Sequence, residues 1–274
     1  MSYKSILVTL APGEQQDAGR DYAISMAIAL NAHVKGCVFA LEPDFDRNSW
    51  LELPAQLIKK HRAELVAEAE KSIKKFQEAA KRAKVEGSQH VYRATLSAAT
   101  TSLAQIAGVH DVTVLTQSAT GLEHMGDVLT EAVLFSSGRP LIITPKRWSE
   151  AFSAHRVLIA WDGGPQSARA VAMAMPILSL AKEIEVLVVG DKNKAKSSRA
   201  RELVTNLQRH ALNAEFIFRE EEDDAGTIAR QAKNRRASLL VMGAFGRSRL
   251  MEFVFGGVTR YMLSNAQLPV FMAH

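Results

Sequence analysis

The sequence predicts an α/β fold made of two tandem domains, each a doubly wound, five-stranded parallel sheet. Short apolar runs alternate with helical stretches along the 274 residues, and parallel strands need such crossover helices between them. The pattern also occurs twice, because the run 5–9 is echoed by 156–160 and the run 139–143 by 268–272. We therefore predict one domain over residues 1–148 and a second over residues 154–274.

Each predicted strand is a short apolar run rich in β-branched residues, as is typical of strands buried on both faces. The first domain has such runs near 5–10, 34–40, 89–94, 112–116 and 140–144, and the second at 157–161, 184–189, 215–218, 239–242 and 269–272. Helical stretches of the second domain lie near 166–181, 196–211, 225–236 and 257–265. The first domain is longer because apolar residues at helical spacing predict one long helix over about 53–85, which we interpret as a crossover packed on its own sheet.

Composition excludes several classes of protein. With 47% hydrophobic and 23% charged residues, 16 Gly and 8 Pro, the chain is neither disordered nor collagen-like. No apolar run approaches the ~18 residues of a membrane span, and the first residues do not resemble a signal peptide, so the expected location is the cytoplasm. Cys37 is the one cysteine; it lies in an apolar run and is predicted to be a buried strand residue.

Charge is distributed unevenly along the chain. The net charge of +5 comes from residues 151–274, which hold 17 basic and 12 acidic residues against 17 of each before them. A basic half favours anionic partners, but no nucleic-acid recognition motif is present, so nucleic acid is not the expected partner. The acidic run 220–224 is interpreted as a helix start, with a divalent-cation site as the alternative. The sequence contains no Walker loop, no nucleophile elbow and no pair of residues at zinc-ligand spacing, so it identifies no set of catalytic residues.

Four glycines of the second domain surround one strand-to-helix loop. Gly243 and Gly246 follow the fourth predicted strand, and Gly256 and Gly257 precede the last helix. Carboxyl ends of parallel strands are where open α/β sheets bind ligands, glycine lets a backbone approach a ligand, and a helix N-terminus attracts anions. The loop therefore predicts a phosphate cradle, to which Arg247 could add charge. Tight turns that need glycine are the alternative.

The spacing of these glycines resembles the G-x2-G-x9-G-[S/T] nucleotide loop of the universal stress protein family, and the whole chain looks like a tandem member. The resemblance implies a stress-response protein that binds ATP or a related adenine nucleotide, with or without Mg²⁺, and hydrolyses it slowly at most. It implies Asp162 at the adenine end and Val189 as a backbone contact to the base. Phosphate and ribose contacts are implied for Gly243, Gly246, Gly256, Gly257, Val258 and Thr259.

The chain departs from the family pattern in both domains. Gly257 stands where the family has Ser or Thr, so one hydroxyl contact to phosphate is lost. In the first domain Ala11, Thr116 and Ala119 stand opposite Asp162, Gly243 and Gly246, so we expect that domain to have lost the site. The alternative function is an interaction or dimerisation module that binds no nucleotide.

The resemblance also implies how the last strands assemble. Single-domain members pair through these strands, and an edge strand seeks a partner. We therefore expect 141–143 and 270–272 to pair within one chain as a pseudo-dimer, to which a homodimer could be added.

Overall fold

Strands and helices alternate along the chain as the sequence predicts, which confirms the α/β class with a mostly parallel sheet. The computed structural model describes residues 2–13, 16–42, 55–117, 123–190, 195–245 and 257–274. Its strands are β1 (Ser5–Thr9), β2 (His33–Glu42), β3 (Gly87–Thr95), β4 (Val112–Thr116), β5 (Leu141–Thr144), β6 (Arg156–Ala160), β7 (Glu183–Val189), β8 (Ala214–Arg219), β9 (Leu239–Gly243) and β10 (Val270–Ala273). Its helices are α1 (Ala18–Leu30), α2 (Ala55–Arg82), α3 (Leu96–Gly108), α4 (Glu123–Ser136), α5 (Pro165–Leu178), α6 (Ala195–Arg209), α7 (Asp224–Asn234) and α8 (Gly257–Asn265).

The chain divides into two compact units. The first unit is Lys4–Arg139, and the second unit is Pro140–His274 together with the residues before Lys4. In the first unit the strands lie in the order β3-β2-β1-β4 and are all parallel. Its central strand, β1, is an apolar run whose residues Ile6, Leu7 and Val8 are fully buried, because helices cover both faces of a parallel sheet.

The second unit has the strand order β5-β10-β9-β6-β7-β8. All neighbouring strands from β10 to β8 are parallel, whereas β5 is antiparallel to β10, with Ile143 opposite Val270 and Leu141 opposite Met272. This pairing confirms the prediction that 141–143 and 270–272 lie side by side. It also explains why β5 packs with the second unit; the predicted domain boundary between 148 and 154 stays a prediction.

The long helix α2 packs on the sheet of the first unit, as its apolar spacing indicates. Ala69, Ile73, Phe76 and Ala80 form one buried stripe along it. A Cβ placed at Gly36 of β2 would lie 2.9 Å from the Phe76 ring. Glycine at that position therefore lets the aromatic ring rest directly on the strand.

Two smaller predictions can be compared with the structure. Cys37 is fully buried in β2, and burial raises the pKa of its thiol to about 12, which confirms a buried strand residue. Asp223 caps α7 by accepting a hydrogen bond from the Gly226 N–H at 2.9 Å, which confirms that the acidic run precedes a helix. The described residues contain no cluster of His, Cys, Asp or Glu fit for a metal ion and no helix long and apolar enough to cross a membrane.

Candidate functional site

The carboxyl ends of β6 and β9 form a topological switch point in the second unit. From β6 the chain crosses to β7 and β8 on one side, whereas β9 and β10 lie on the other side. Ala160 and Met242 are opposite each other in the two strands, so the residues that follow them leave the sheet next to each other. Open α/β sheets bind ligands in the crevice at such a point. Predicted residues Asp162 and Gly243 both lie at this edge.

Gly243 lies directly against the first turn of α5. A Cβ at Gly243 would be 2.5 Å from the backbone nitrogen of Ser167 and 2.6 Å from the carbonyl carbon of Gln166. Glycine is therefore required for helix–strand packing, whether or not a ligand is bound. The close approach brings the N-terminus of α5, whose N-cap residue Gly164 makes no side-chain cap, to the switch point.

Asp162 lies in the exposed turn that joins β6 to α5. Its Oδ1 accepts a hydrogen bond from the Gly164 N–H at 2.8 Å, and Gly163 between them has φ 77°, a conformation that favours glycine. A carboxylate oxygen has room for further hydrogen bonds, so Asp162 can still accept from a ligand. Val189 ends the neighbouring strand β7, so the two residues predicted for the nucleoside end lie at or just beyond the carboxyl ends of adjacent strands.

A hydrogen bond between Phe245 and Thr259 connects the end of β9 to α8. Phe245 has φ 54°, and its N–H donates to Thr259 Oγ1 at 3.1 Å. Thr259 is buried. Its hydroxyl therefore fixes Phe245, the residue at which the loop after β9 begins, in addition to any role toward phosphate. Val258 is half-buried, and a Cβ on Gly257 would meet no atom of the described residues within 4 Å.

The structure thus brings together six of the predicted site residues around the carboxyl edge of one sheet. They are Asp162, Val189, Gly243, Gly257, Val258 and Thr259. The remaining three, Gly246, Arg247 and Gly256, lie outside the described residues. Their assignment to the phosphate loop stays a prediction.

Two buried polar atoms at the switch point have no hydrogen-bond partner among the described residues. They are Nε1 of Trp161 and Oε1 of Gln166. Buried polar atoms are nearly always paired, so this pair marks a place where a bound molecule can supply hydrogen bonds. Neither residue is among those predicted from the sequence, although a tryptophan directly before Asp162, at the end of a buried strand, was a usable signal.

The equivalent edge of the first unit is occupied by the unit's own side chains. The Asp17 carboxylate accepts hydrogen bonds from the N–H groups of Ala11 at 3.1 Å and Arg20 at 3.0 Å. The Thr116 hydroxyl oxygen accepts from the Gly19 N–H at 3.0 Å. Burial raises the pKa of Asp17 above its ordinary value, against the hydrogen bonds from Arg20 and Ala11. These backbone donors are therefore already engaged within the first unit.

Comparison with known proteins agrees with this architecture. The model of the universal stress protein family matches residues 153–274. Universal stress protein Slr1230 from Synechocystis is 26% identical over 152 residues, which is 54% of this chain and 50% of that protein. The matched part thus spans about half the length of this curated relative.

Solved structures are similar in fold over nearly the whole chain. A universal stress protein from Archaeoglobus fulgidus has a TM-score of 0.78 at 13% identity, covering 99% of this chain and 96% of that one. A putative universal stress protein from Pseudomonas aeruginosa has a TM-score of 0.61 at 18% identity, covering 99% and 93%. At these identities the likeness concerns the fold, and it extends over both halves. Together with the family match over residues 153–274, it leads to one conclusion: the half of the chain that holds the candidate site is a universal stress protein domain, in a chain whose fold is that of universal stress proteins over both halves.

Proposed function

We propose that this chain binds an adenine nucleotide, ATP, at the carboxyl edge of its second unit, and that the nucleotide is a structural or signalling ligand in a cytoplasmic stress response. The observation that supports the proposal best is the switch point between β6 and β9. Asp162 leaves one strand there, and Gly243 ends the other. Ligands of doubly wound sheets bind at this point.

The described residues fit such a ligand in three respects. Asp162 is an exposed carboxylate that can accept a hydrogen bond from an amino or hydroxyl group. The buried Oε1 of Gln166, which has no hydrogen-bond partner among the described residues, can accept a bond from the amino group of a base or from a ribose hydroxyl. The N-terminus of α8, which begins at Gly257, provides N–H donors and positive potential for phosphate oxygens.

Strand pairing supports the proposed pseudo-dimer of the two halves. In the second unit β10 is bonded to β9 on one side and to β5 on the other, so its edge is covered by a strand of the same chain. A covered edge no longer offers free N–H and C=O groups to a second copy. Any homodimer would then use another surface.

A gain in affinity at Gly257 tests the proposal directly. Gly257→Ser restores the hydroxyl that the family has at this position, where the described part of the chain places no atom within 4 Å of an added Cβ. A hydrogen bond to a charged group contributes about 1.5–3 kcal/mol, so we expect ATP to bind at least tenfold tighter in titration calorimetry. Gly257→Ala is the matched control, because it adds the Cβ without the hydroxyl and should leave the affinity unchanged.

Asp162 tests the other end of the ligand. Asp162→Ala should weaken ATP and adenosine alike, whereas Gly257→Ser should tighten ATP and leave adenosine unchanged. If the wild-type chain binds neither ATP nor adenosine at millimolar concentration, nucleotide binding is wrong. The function would then be that of an interaction module, which the strand pairing also accommodates.

A further inference from the structure

Two hydrogen-bond donors in the second unit converge on Gly163 and belong to no interaction described so far. A Cβ placed at Gly163 would lie 3.9 Å from Trp161 Nε1 and 3.8 Å from a terminal nitrogen of Arg199. The indole N–H comes from the end of β6, and the guanidinium reaches this point from α6. Both donors are therefore within 4 Å of one point beside Asp162.

Neither donor has an acceptor among the described residues. Trp161 Nε1 is fully buried without a partner among these residues, whereas Arg199 is exposed and makes no hydrogen bond or ion pair within the described part of the chain, so the cost of burial falls on the indole N–H. A buried N–H that loses its bond to water and gains no other is costly. An acceptor from outside the protein would remove that cost.

Gly163 keeps the space between the donors open. Its φ of 77° is one that residues with a side chain rarely adopt, and the Cβ of any side chain there would lie within 4 Å of both donors. The local backbone thus both requires glycine and leaves room for a ligand atom. Asp162, one residue earlier, already accepts the Gly164 N–H.

The chemistry of this donor pair favours an anionic oxygen. One donor is a neutral indole N–H, and the other is a guanidinium, which is always charged and whose fork of N–H groups matches phosphate. A neutral base edge could accept from the indole N–H but would gain nothing from the charge of the exposed Arg199 guanidinium. A phosphate oxygen satisfies both donors and balances that charge.

We propose that Trp161 and Arg199 bind a phosphate group carried on the ribose, so that the ligand class is a nucleotide phosphorylated at its 2′ or 3′ position as well as at its 5′ position. This inference rests on the proposed function, because Asp162 is assigned there to the nucleoside end of the ligand. Arg199 and Trp161 are then specificity-determining residues. A nucleotide without the ribose phosphate leaves them without an acceptor.

Titration calorimetry with three nucleotides tests the inference on the full chain. Adenosine 5′-monophosphate is compared with adenosine 2′,5′-bisphosphate and adenosine 3′,5′-bisphosphate. One of the two bisphosphates should bind at least tenfold tighter than the monophosphate. Repeating the monophosphate titration in millimolar inorganic phosphate separates a phosphate on the ribose from a free anion, which should not reproduce the gain.

Single substitutions assign the gain to the two donors. Trp161→Phe keeps an aromatic ring but removes the N–H, and Arg199→Gln removes the charge. Both should lose most of the gain for the bisphosphate while changing monophosphate affinity less than twofold. Arg201→Gln is the matched control on the same helix, because that guanidinium lies over the Phe216 ring, 4.9 Å from its centre, and the gain should persist.

The possible failures are distinguishable. If the monophosphate binds and neither bisphosphate binds tighter, the inference is wrong and the proposed function stands. The same holds if free phosphate gives the whole gain, or if the gain persists in both Trp161→Phe and Arg199→Gln. If no nucleotide binds, the inference and the proposed function fail together.

Discussion

Replacing Gly243 by alanine should destabilise the second unit even when no ligand is present. The added Cβ would lie 2.5 Å from the Ser167 nitrogen and 2.6 Å from the Gln166 carbonyl carbon. Both atoms belong to the backbone of α5, so no side-chain rotation relieves the overlap. Either α5 must move away from the end of β9, or β9 must bend.

The size of the effect follows from the kind of contact. Forcing one extra carbon into a packed region costs about 1–3 kcal/mol, and a backbone neighbour points to the middle of that range, about 2 kcal/mol. For a unit of this size each kcal/mol lowers the melting temperature by about 2–4 °C. We therefore expect Gly243→Ala to melt about 4–8 °C below the wild-type protein.

Gly257→Ala provides the matched control within the same loop. Within the described ranges of the chain, a Cβ at Gly257 would meet no atom within 4 Å, and alanine is the better helix former at a position where α8 begins. Its free energy of unfolding should lie within about 0.5 kcal/mol of wild type, or above it. The two substitutions are chemically identical and differ in their surroundings.

Urea unfolding of the nucleotide-free protein, followed by far-UV circular dichroism and by tryptophan fluorescence, measures both variants. Two probes are needed because a chain with two units can unfold in two steps. If Gly243→Ala is as stable as Gly257→Ala, the packing explanation is refuted. Gly243 would then be explained by ligand binding alone.

Three further predictions concern buried groups. Burial raises the pKa of the Asp17 carboxyl above its ordinary value of 3.8. Its contribution to stability is therefore fully present below that pH and is lost as the pH rises through the folded-state pKa, so the stability of Asp17→Asn relative to wild type should increase as the pH of the urea titration is raised. The Cys37 thiol, with its pKa raised to about 12, should react with Ellman's reagent only when the protein unfolds, and rapid reaction of the folded protein would contradict its burial. Thr259→Val removes the acceptor of the Phe245 N–H and should cost about 1–3 kcal/mol of unfolding free energy, whereas Thr259→Ser, which keeps the hydroxyl, should cost less.

Local sequence patterns predicted the elements because each pattern reflects a local physical cause. The run Ile6–Val8 is apolar throughout, since β1 is buried on both faces. The stripe from Ala69 to Ala80 has helical spacing because only one face of α2 meets the sheet. The sequence also predicted that 141–143 would pair with 270–272. It could not show that this contact makes β5 pack with the second unit, because packing depends on residues far away in the chain.

The reason for Gly243 was likewise invisible in the sequence. In the second unit the strand end has glycine and the first turn of α5 has Gln166; in the first unit the strand end has Thr116 and the first turn of α1 has Gly19. A Cβ at Gly19 would lie 2.5 Å from the Thr116 hydroxyl oxygen, so each helix–strand contact has room for one side chain. The glycine of this contact lies on the strand in the second unit and on the helix in the first unit. This difference is visible only from the tertiary contact.

The central claim is one nucleotide site per chain, held by the loop of the second unit. Calorimetric titration of the full chain with ATP tests it most directly, alongside the folded variant Gly246→Val and, as the first-half control, Ala119→Val. We expect a stoichiometry of one, at least tenfold weaker ATP binding in Gly246→Val with a smaller effect on adenosine, and no change in Ala119→Val. Two equal sites, or normal ATP binding by Gly246→Val, would contradict the account.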